Sequence, residues 1–171
     1  MEWKTRIQDV PDYPKPGIVF KDITPLLADG PAFKAVIDAL AKALEAHRPT
    51  HIVAIESRGF IFGAAVAHAL GLGLTLVRKP GKLPRKRRSV SYALEYGTDT
   101  LELHDDALVA GDRAVVIDDV LATGGTAAAV GELVGGTGAE LVAFAFLIEL
   151  GFLGGRGKLP AGVPVVALTA Y

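Results

Sequence analysis

The run Val115-Val116-Ile117-Asp118-Asp119-Val120-Leu121-Ala122-Thr123-Gly124-Gly125-Thr126 constrains the fold of this chain more than any other. Three β-branched apolar residues lead into two adjacent carboxylates. A small Gly- and Thr-rich turn follows, then an Ala-rich segment. This is the pattern of a buried parallel strand, a polar loop and a helix start. In open α/β sheets, ligands gather at the carboxyl ends of the strands, where this loop lies. Gly124 and Gly125 let backbone N–H groups approach an anion with no Cβ in the way. Thr123 and Thr126 add hydroxyls, and the positive N-terminal end of the following helix faces the same place. The turn therefore reads as a phosphate cradle, and Asp118 and Asp119 as a seat for sugar hydroxyls or a metal. The plainer alternative is a strand ending in a capped helix, with Asp119 or Thr123 as the cap. Two acids crowded at the end of an apolar strand are costly, which favours the ligand-binding reading. No Lys follows the glycines as in a Walker A loop, and no Gly-x-Gly-x-x-Gly dinucleotide turn is present.

A chain of 171 residues, 50% hydrophobic and 22% charged, suits one folded domain with a sizeable core, expected to span residues 1–171. The absence of cysteine removes disulfides and thiolate metal sites and fits a reducing, cytoplasmic setting. His47, His51, His68 and His104 have no zinc-ligand spacing and receive no role. The first six residues hold no apolar signal core, so export is not expected. Residues 60–77 carry no formal charge and approach the length of a membrane span, but Gly71-Leu72-Gly73 interrupts them. They read as a buried helix, a turn and a buried strand, with no membrane partner.

Net charge is −1 but unevenly placed. Residues 78–88 hold seven basic side chains, leaving 11 basic against 19 acidic residues elsewhere. A local basic loop on an acidic protein suits a small anionic ligand better than a general nucleic-acid surface. Arg85, Lys86, Arg87 and Arg88 taken alone read as a solvated loop.

Along the chain, residues 3–10 suggest the start of an amphipathic helix. Pro11 to Gly17 force an extended or turning path, and Ile18-Val19-Phe20 reads as a short extended piece. Pro31 opens a helix whose Phe33, Val36, Ile37, Leu40 and Leu44 share one face. Ile52-Val53-Ala54-Ile55 is a buried strand running into Glu56-Ser57-Arg58-Gly59-Phe60, with a helix over about residues 61–69. Arg58 suits a phosphate because its flat guanidinium donates two parallel hydrogen bonds, and Gly59 permits close backbone approach. On spacing alone, an Arg–Glu surface pair is the default. Residues 74–77 form a strand, and residues 78–84 are irregular. Residues 89–103 alternate as a hairpin flap turning at Gly97-Thr98-Asp99. A helix over residues 126–134, a strand over 141–148 buried on both faces, and a last strand over 163–168 complete an α/β fold. It has a mostly parallel central sheet with helices on both faces.

Residues 115–126 resemble the 5-phosphoribosyl 1-pyrophosphate (PRPP) motif of type I phosphoribosyltransferases. Three further segments, in order, resemble the adenine phosphoribosyltransferases. Pro14-x-Pro16-Gly17-Ile18-Val19-Phe20-Lys21-Asp22-Ile23-Thr24-Pro25-Leu26-Leu27 is similar to their N-terminal hood, here residues 1–30. Glu56-Ser57-Arg58-Gly59-Phe60 is similar to their pyrophosphate loop, and Ser91-Tyr92-x-Leu94-Glu95-Tyr96-Gly97 to their mobile catalytic loop. Arg78-Lys79-x-Gly81-Lys82-Leu83-Pro84 matches a basic segment that meets pyrophosphate. The resemblance implies transfer of a phosphoribosyl group from PRPP to adenine, giving AMP and pyrophosphate, with Mg²⁺ held mostly by substrate oxygens and water. It implies catalytic roles for Glu95 and Tyr96, with Glu95 as acid/base. For PRPP and AMP it implies Arg58, Gly59, Arg78, Lys79, Lys82, Asp118, Asp119, Ala122, Thr123, Gly124, Gly125 and Thr126. For adenine it implies Val19, Phe20, Lys21 (often Arg in the family) and Leu150. It further implies a non-proline cis peptide in the 56–60 loop and a homodimer. Another purine or a pyrimidine as the acceptor base, or a non-catalytic PRPP or nucleotide sensor, remain the alternatives.

Overall fold

The computed structural model describes residues 2–93 and 97–171. Its centre is a five-stranded parallel sheet. The strands are β3 (His51–Ile55), β4 (Gly73–Val77), β7 (Arg113–Leu121), β8 (Glu140–Glu149) and β9 (Val165–Ala170), in spatial order β4-β3-β7-β8-β9. Two antiparallel pairs flank it. Strands β1 (Gln8–Pro11) and β2 (Val19–Asp22) build the hood, and β5 (Arg87–Ala93) and β6 (Thr98–His104) build the flap.

Helices cover both faces, as a parallel sheet buried on both sides requires. Helices α2 (Gly30–Glu45) and α3 (Gly59–Leu70) pack one face, where Val36, Leu40 and Leu44 meet Ile52, Val115 and Ile117. Helix α4 (Gly125–Gly135) covers the other, where Val130 and Val134 meet Val53, Val116 and Phe144. Asp29 caps α2 by accepting from the Ala32 N–H at 3.1 Å, and Pro31 sits in the first turn, where no N–H is missed. Strand β8 is buried along nearly its whole length, as its unbroken apolar run predicts.

Three expectations change, and one helix is added. Residues 3–10 are not an amphipathic helix: a 3₁₀ turn over Glu2–Arg6 gives way to β1, because the segment pairs with β2. A short helix α1 (Thr24–Ala28), with Pro25 in its first turn, precedes α2. Strand β4 is an edge strand, so it alternates: Thr75 and Val77 are buried while Leu74 and Leu76 stay exposed. Strand β7 does not stop at its acids but continues through Asp118 and Asp119 to Leu121, because β8 pairs with it throughout.

The flap is tied to the edge of the sheet by a backbone bridge. Arg78, just past β4, exchanges two backbone hydrogen bonds with Glu102 of β6, at 2.9 and 2.7 Å. Below it, Arg85 pairs with Asp106, Lys86 and Arg88 with Asp105, and Arg87 with Glu102. The basic run is therefore matched side chain by side chain at the hairpin base.

Candidate active site

The carboxyl ends of β3, β7 and β8 face the hood, and Asp118 lies at the junction. It lines three adjoining cavities at once. One, of about 80 Å³, is formed by the turn over residues 122–126. A second, of about 320 Å³, is formed with Glu56, Ser57, Arg58 and Asp119. The third, of about 270 Å³, lies between hood residues Val19, Phe20 and Lys21 and Leu150. Residues more than 100 positions apart in sequence thus meet around one carboxylate.

The 80 Å³ cavity has the geometry of an anion cradle. Gly124, at φ +82°, is the residue before α4, and no side chain caps that helix, so its first N–H groups are open to a ligand. A Cβ on Gly124 would run into the carbonyl oxygen of Gly155, and one on Gly155 into that of Ala122. Gly155 thus buttresses the turn from behind, a role that its place in a glycine-rich tail did not signal. Neither Asp119 nor Thr123 is a helix cap.

Around the second cavity the Glu56–Ser57 peptide is cis. Gly59 faces inward: a Cβ there would lie 2.9 Å from the Ile117 carbonyl oxygen and 3.0 Å from Asp118 Oδ1. Its lack of a side chain lets α3 press against β7. Arg58 Nε stands 2.6 Å from Asp119 Oδ2, an ionic contact without hydrogen-bond alignment, since that buried oxygen accepts no hydrogen bond from the described residues. The same guanidinium lies 5.3 Å from the centre of the Phe20 ring, so Arg58 spans the second and third cavities.

Glu56 gathers the basic segment. It accepts from the backbone N–H of Lys79 at 2.9 Å, from Arg78 Nε at 3.3 Å and from the Lys82 ammonium. Burial alone would raise its pKa, but the hydrogen bonds from Lys82, Lys79 and Arg78 outweigh that and hold the carboxyl at about 2. The Lys79 ammonium turns instead to Asp99, 3.1 Å away. The Lys79 and Lys82 ammonium groups therefore sit on carboxylates, and neither residue lines the three cavities. Glu56 and Asp99, the carboxylates that hold these lysines, received no role from the sequence. Glu56 stands within a motif, and Asp99 falls in a Gly97-Thr98-Asp99 turn pattern, although it is the second residue of β6, opposite Tyr92.

Asp118 behaves unlike an ordinary carboxylate. Burial, and then the neighbouring Asp119 charge, push its pKa well above the usual range, although it accepts from the Asp119 N–H at 2.8 Å. In the third cavity, Phe20 and Leu150 come together as expected, and Tyr13 packs edge-on against Phe20 at 5.2 Å. Leu150 is pinned through its neighbours: Tyr171 N–H donates to the Glu149 carbonyl at 3.0 Å, and Gly151 N–H to the Tyr171 carbonyl at 2.9 Å. The Lys21 ammonium is committed to Asp9, at 2.6 Å, and to the face of the Tyr171 ring, at 3.7 Å. Glu95 and Tyr96 lie outside the described residues.

Among the described residues, no group of three or more His, Asp or Glu side chains converges on a metal position. Two carboxylates at the cavity junction fit a magnesium ion that arrives coordinated by substrate phosphates, since Mg²⁺ uses one or two carboxylates beside phosphate oxygens and waters.

The phosphoribosyl transferase domain model matches residues 25–159. The adenine phosphoribosyltransferase of Rubrobacter xylanophilus is 56% identical over 168 residues, covering 98% of this chain and 91% of that protein. The crystal structure of adenine phosphoribosyltransferase from Thermoanaerobacter pseudethanolicus superposes with a TM-score of 0.96 at 51% identity, covering 99% of this chain and 98% of that one. The Saccharomyces cerevisiae enzyme, complexed with an imino-altritol bisphosphate and adenine, superposes with a TM-score of 0.93 at 43% identity over 98% of this chain and 96% of that one. With the cradle, the paired acids and the hood in the order that the sequence motifs require, the chain belongs to the adenine phosphoribosyltransferases of the type I phosphoribosyltransferase family.

Proposed function

We propose that this chain transfers the 5-phosphoribosyl group from PRPP to adenine, releasing AMP and pyrophosphate, and that its residues divide the work as follows. The observation that carries this is Asp118, one carboxylate bordering an anion cradle, a polar cavity that Arg58 enters and an apolar slot. A substrate with a 5′-phosphate, a ribose and a pyrophosphate, meeting a flat base, needs those three volumes around its reacting carbon.

The turn over residues 122–126 holds the 5′-phosphate through backbone N–H groups and the Thr123 and Thr126 hydroxyls. Adenine lies between Phe20 and Leu150, with Val19 and Lys21 in the hood wall. Pyrophosphate leaves with the bonding electron pair, so the ribose carbon becomes cationic in the transition state. Asp118 and Asp119 orient the ribose hydroxyls and offset that positive charge. Arg58, Arg78, Lys79 and Lys82 stabilise the negative charge on the leaving group. Mg²⁺, when bound near Asp118 and Asp119, supplies further neutralisation of the pyrophosphate charge. The nitrogen of adenine that bonds to the sugar gives up its proton, and Glu95, with Tyr96 beside it, takes the acid/base role. A flap closing over the site excludes water from the reactive sugar.

The chain works as one domain over residues 1–171, with residues 1–30 as the hood, supported by the two cores on opposite faces of one sheet. It acts in the cytoplasm as a homodimer. The lack of cysteine and the exposed Leu74 and Leu76 on the edge strand support that reading. Among the described residues, no helix is long and apolar enough to cross a membrane. The test is AMP formation from adenine, PRPP and Mg²⁺, with hypoxanthine, guanine and uracil in parallel. Turnover with adenine alone is expected. Turnover with another base, or PRPP binding with no turnover at all, overturns the assignment.

A further inference from the structure

The Lys79 ammonium is paired with Asp99, and that partner is built to let it go. Asp99 is the first acid of β6, directly opposite Tyr92 of β5. Its carboxylate takes three donors: Lys79 Nζ at 3.1 Å, the Thr100 backbone N–H at 2.9 Å, and the Tyr92 hydroxyl at 3.5 Å. Tyr92 is itself held 3.1 Å from Thr126 Oγ1, so the carboxylate is fixed to the hairpin and through it to the phosphate cradle. If Lys79 leaves, Asp99 keeps two hydrogen bonds and is not stranded. On the other side, the Lys79 backbone is pinned to Glu56, so only its flexible four-carbon stem has to move. One lysine thus has two alternative anionic partners, a fixed carboxylate and an incoming pyrophosphate.

We propose that Asp99 is a place-holder for pyrophosphate: it holds the Lys79 charge while the site is empty and takes it back as the product leaves. This rests on the phosphoribosyltransferase reading above and extends it to a residue acting through Lys79, a positioning residue rather than a catalytic one. Every pyrophosphate bound must first displace Asp99, which weakens pyrophosphate binding and favours its release. The lysine is about half exposed and the pair is partly screened, so the effect is modest.

The experiment is calorimetric titration of inorganic pyrophosphate, with Mg²⁺ and ribose 5-phosphate held constant, into the wild-type chain and three variants: Asp99→Asn, Lys79→Ala and the double variant. Asparagine keeps an oxygen for the Thr100 N–H, and thermal melts check that each variant is folded. Asp99→Asn is expected to bind pyrophosphate about two- to fivefold more tightly, the range of a partly exposed ion pair. The Lys79→Ala variant binds it more weakly, and adding Asp99→Asn to Lys79→Ala changes nothing further. The KM for adenine stays at the wild-type value in Asp99→Asn. Unchanged or weaker pyrophosphate binding in Asp99→Asn overturns the proposal. So does a gain that persists without Lys79, which would be a general charge effect. If the wild-type chain binds no pyrophosphate at all, the phosphoribosyltransferase reading fails and this inference falls with it.

Discussion

Arg58 Nε and Asp119 Oδ2 meet at 2.6 Å, joining the loop after β3 to the far end of β7. The guanidinium also lies over Phe20 at 5.3 Å, so one side chain reaches Asp119 and the hood aromatic together. A flat, delocalised cation does this and an ammonium does not. Arg58→Gln is expected to lower kcat/KM for PRPP by about 10²–10³-fold, the scale of losing one preorganised charge at a leaving group. Arg58→Lys restores only part of that. Steady-state kinetics at saturating adenine checks both. Full recovery in the lysine variant would reduce the role to bare charge.

Glu56 makes a stability prediction whose sign follows from its depressed pKa. Its carboxyl titrates at about 2 in the folded chain against 4.5 as its reference value. The folded state therefore binds that proton less readily than the unfolded state. The resulting stabilisation is complete above pH 4.5 and is lost as pH falls from there toward 2. Glu56→Gln should melt below the wild-type chain at pH 7, and the gap should narrow as the pH is lowered through that window. Differential scanning calorimetry at stepped pH reads it. A gap independent of pH would mean that the hydrogen bonds to Lys79, Lys82 and Arg78 do not need the charge.

Asp118 carries the opposite sign. Burial and Asp119 raise its pKa, so ionising it costs the folded chain stability, a cost that appears as pH rises from 3.8 through the raised value. In the proposed mechanism it faces a cationic ribose, however, and must be ionised. Asp118→Asn should therefore be more stable than wild type at neutral pH, with that advantage fading below about pH 4. Its kcat should fall by about 10²–10³-fold. The wild-type kcat/KM for PRPP should decline on the acid side through a pKa above that of an ordinary carboxylate. A variant both less stable and less active at pH 7 would contradict the reading.

Periodicity and punctuation made the sheet legible in the sequence. Apolar runs ending in polar turns located all five parallel strands, and β8 announced its two-sided burial by having no polar residue between Leu141 and Ile148. The hood was misread over residues 3–10 because β1 gains its strand character from pairing with β2, which no local pattern records. Arg58, Asp118 and Asp119 could be placed at the site because they come at the ends of apolar runs that mark the carboxyl ends of β3 and β7. What the sequence hid were partners chosen across the fold. The side of Gly59 that lacks a Cβ packs on Ile117 and Asp118. The carboxylates on which Lys82 and Lys79 rest, Glu56 and Asp99, are likewise recorded in no local pattern. Such pairings connect residues 20 or more positions apart through loops, where no periodicity carries information.

Gly124 and Gly155 test whether the phosphate cradle depends on two backbones in contact. Gly124 sits at φ +82°, a left-handed conformation that alanine adopts only with strain, and its missing Cβ is where the Gly155 carbonyl lies. Gly124→Ala should lose about 1–3 kcal/mol of stability from backbone strain. Relief of the clash must also displace the turn over residues 122–126. The 5′-phosphate contacts suffer first, so KM for PRPP should rise more than KM for adenine. Gly155→Ala, which would press on the Ala122 carbonyl from the other side without a positive φ of its own, should reproduce the kinetic effect with a smaller loss of stability. Urea unfolding and initial-rate kinetics on the two variants separate strain at Gly124 from crowding shared by both. If Gly155→Ala binds PRPP normally, the contact is packing alone and the cradle is shaped by Gly124 by itself.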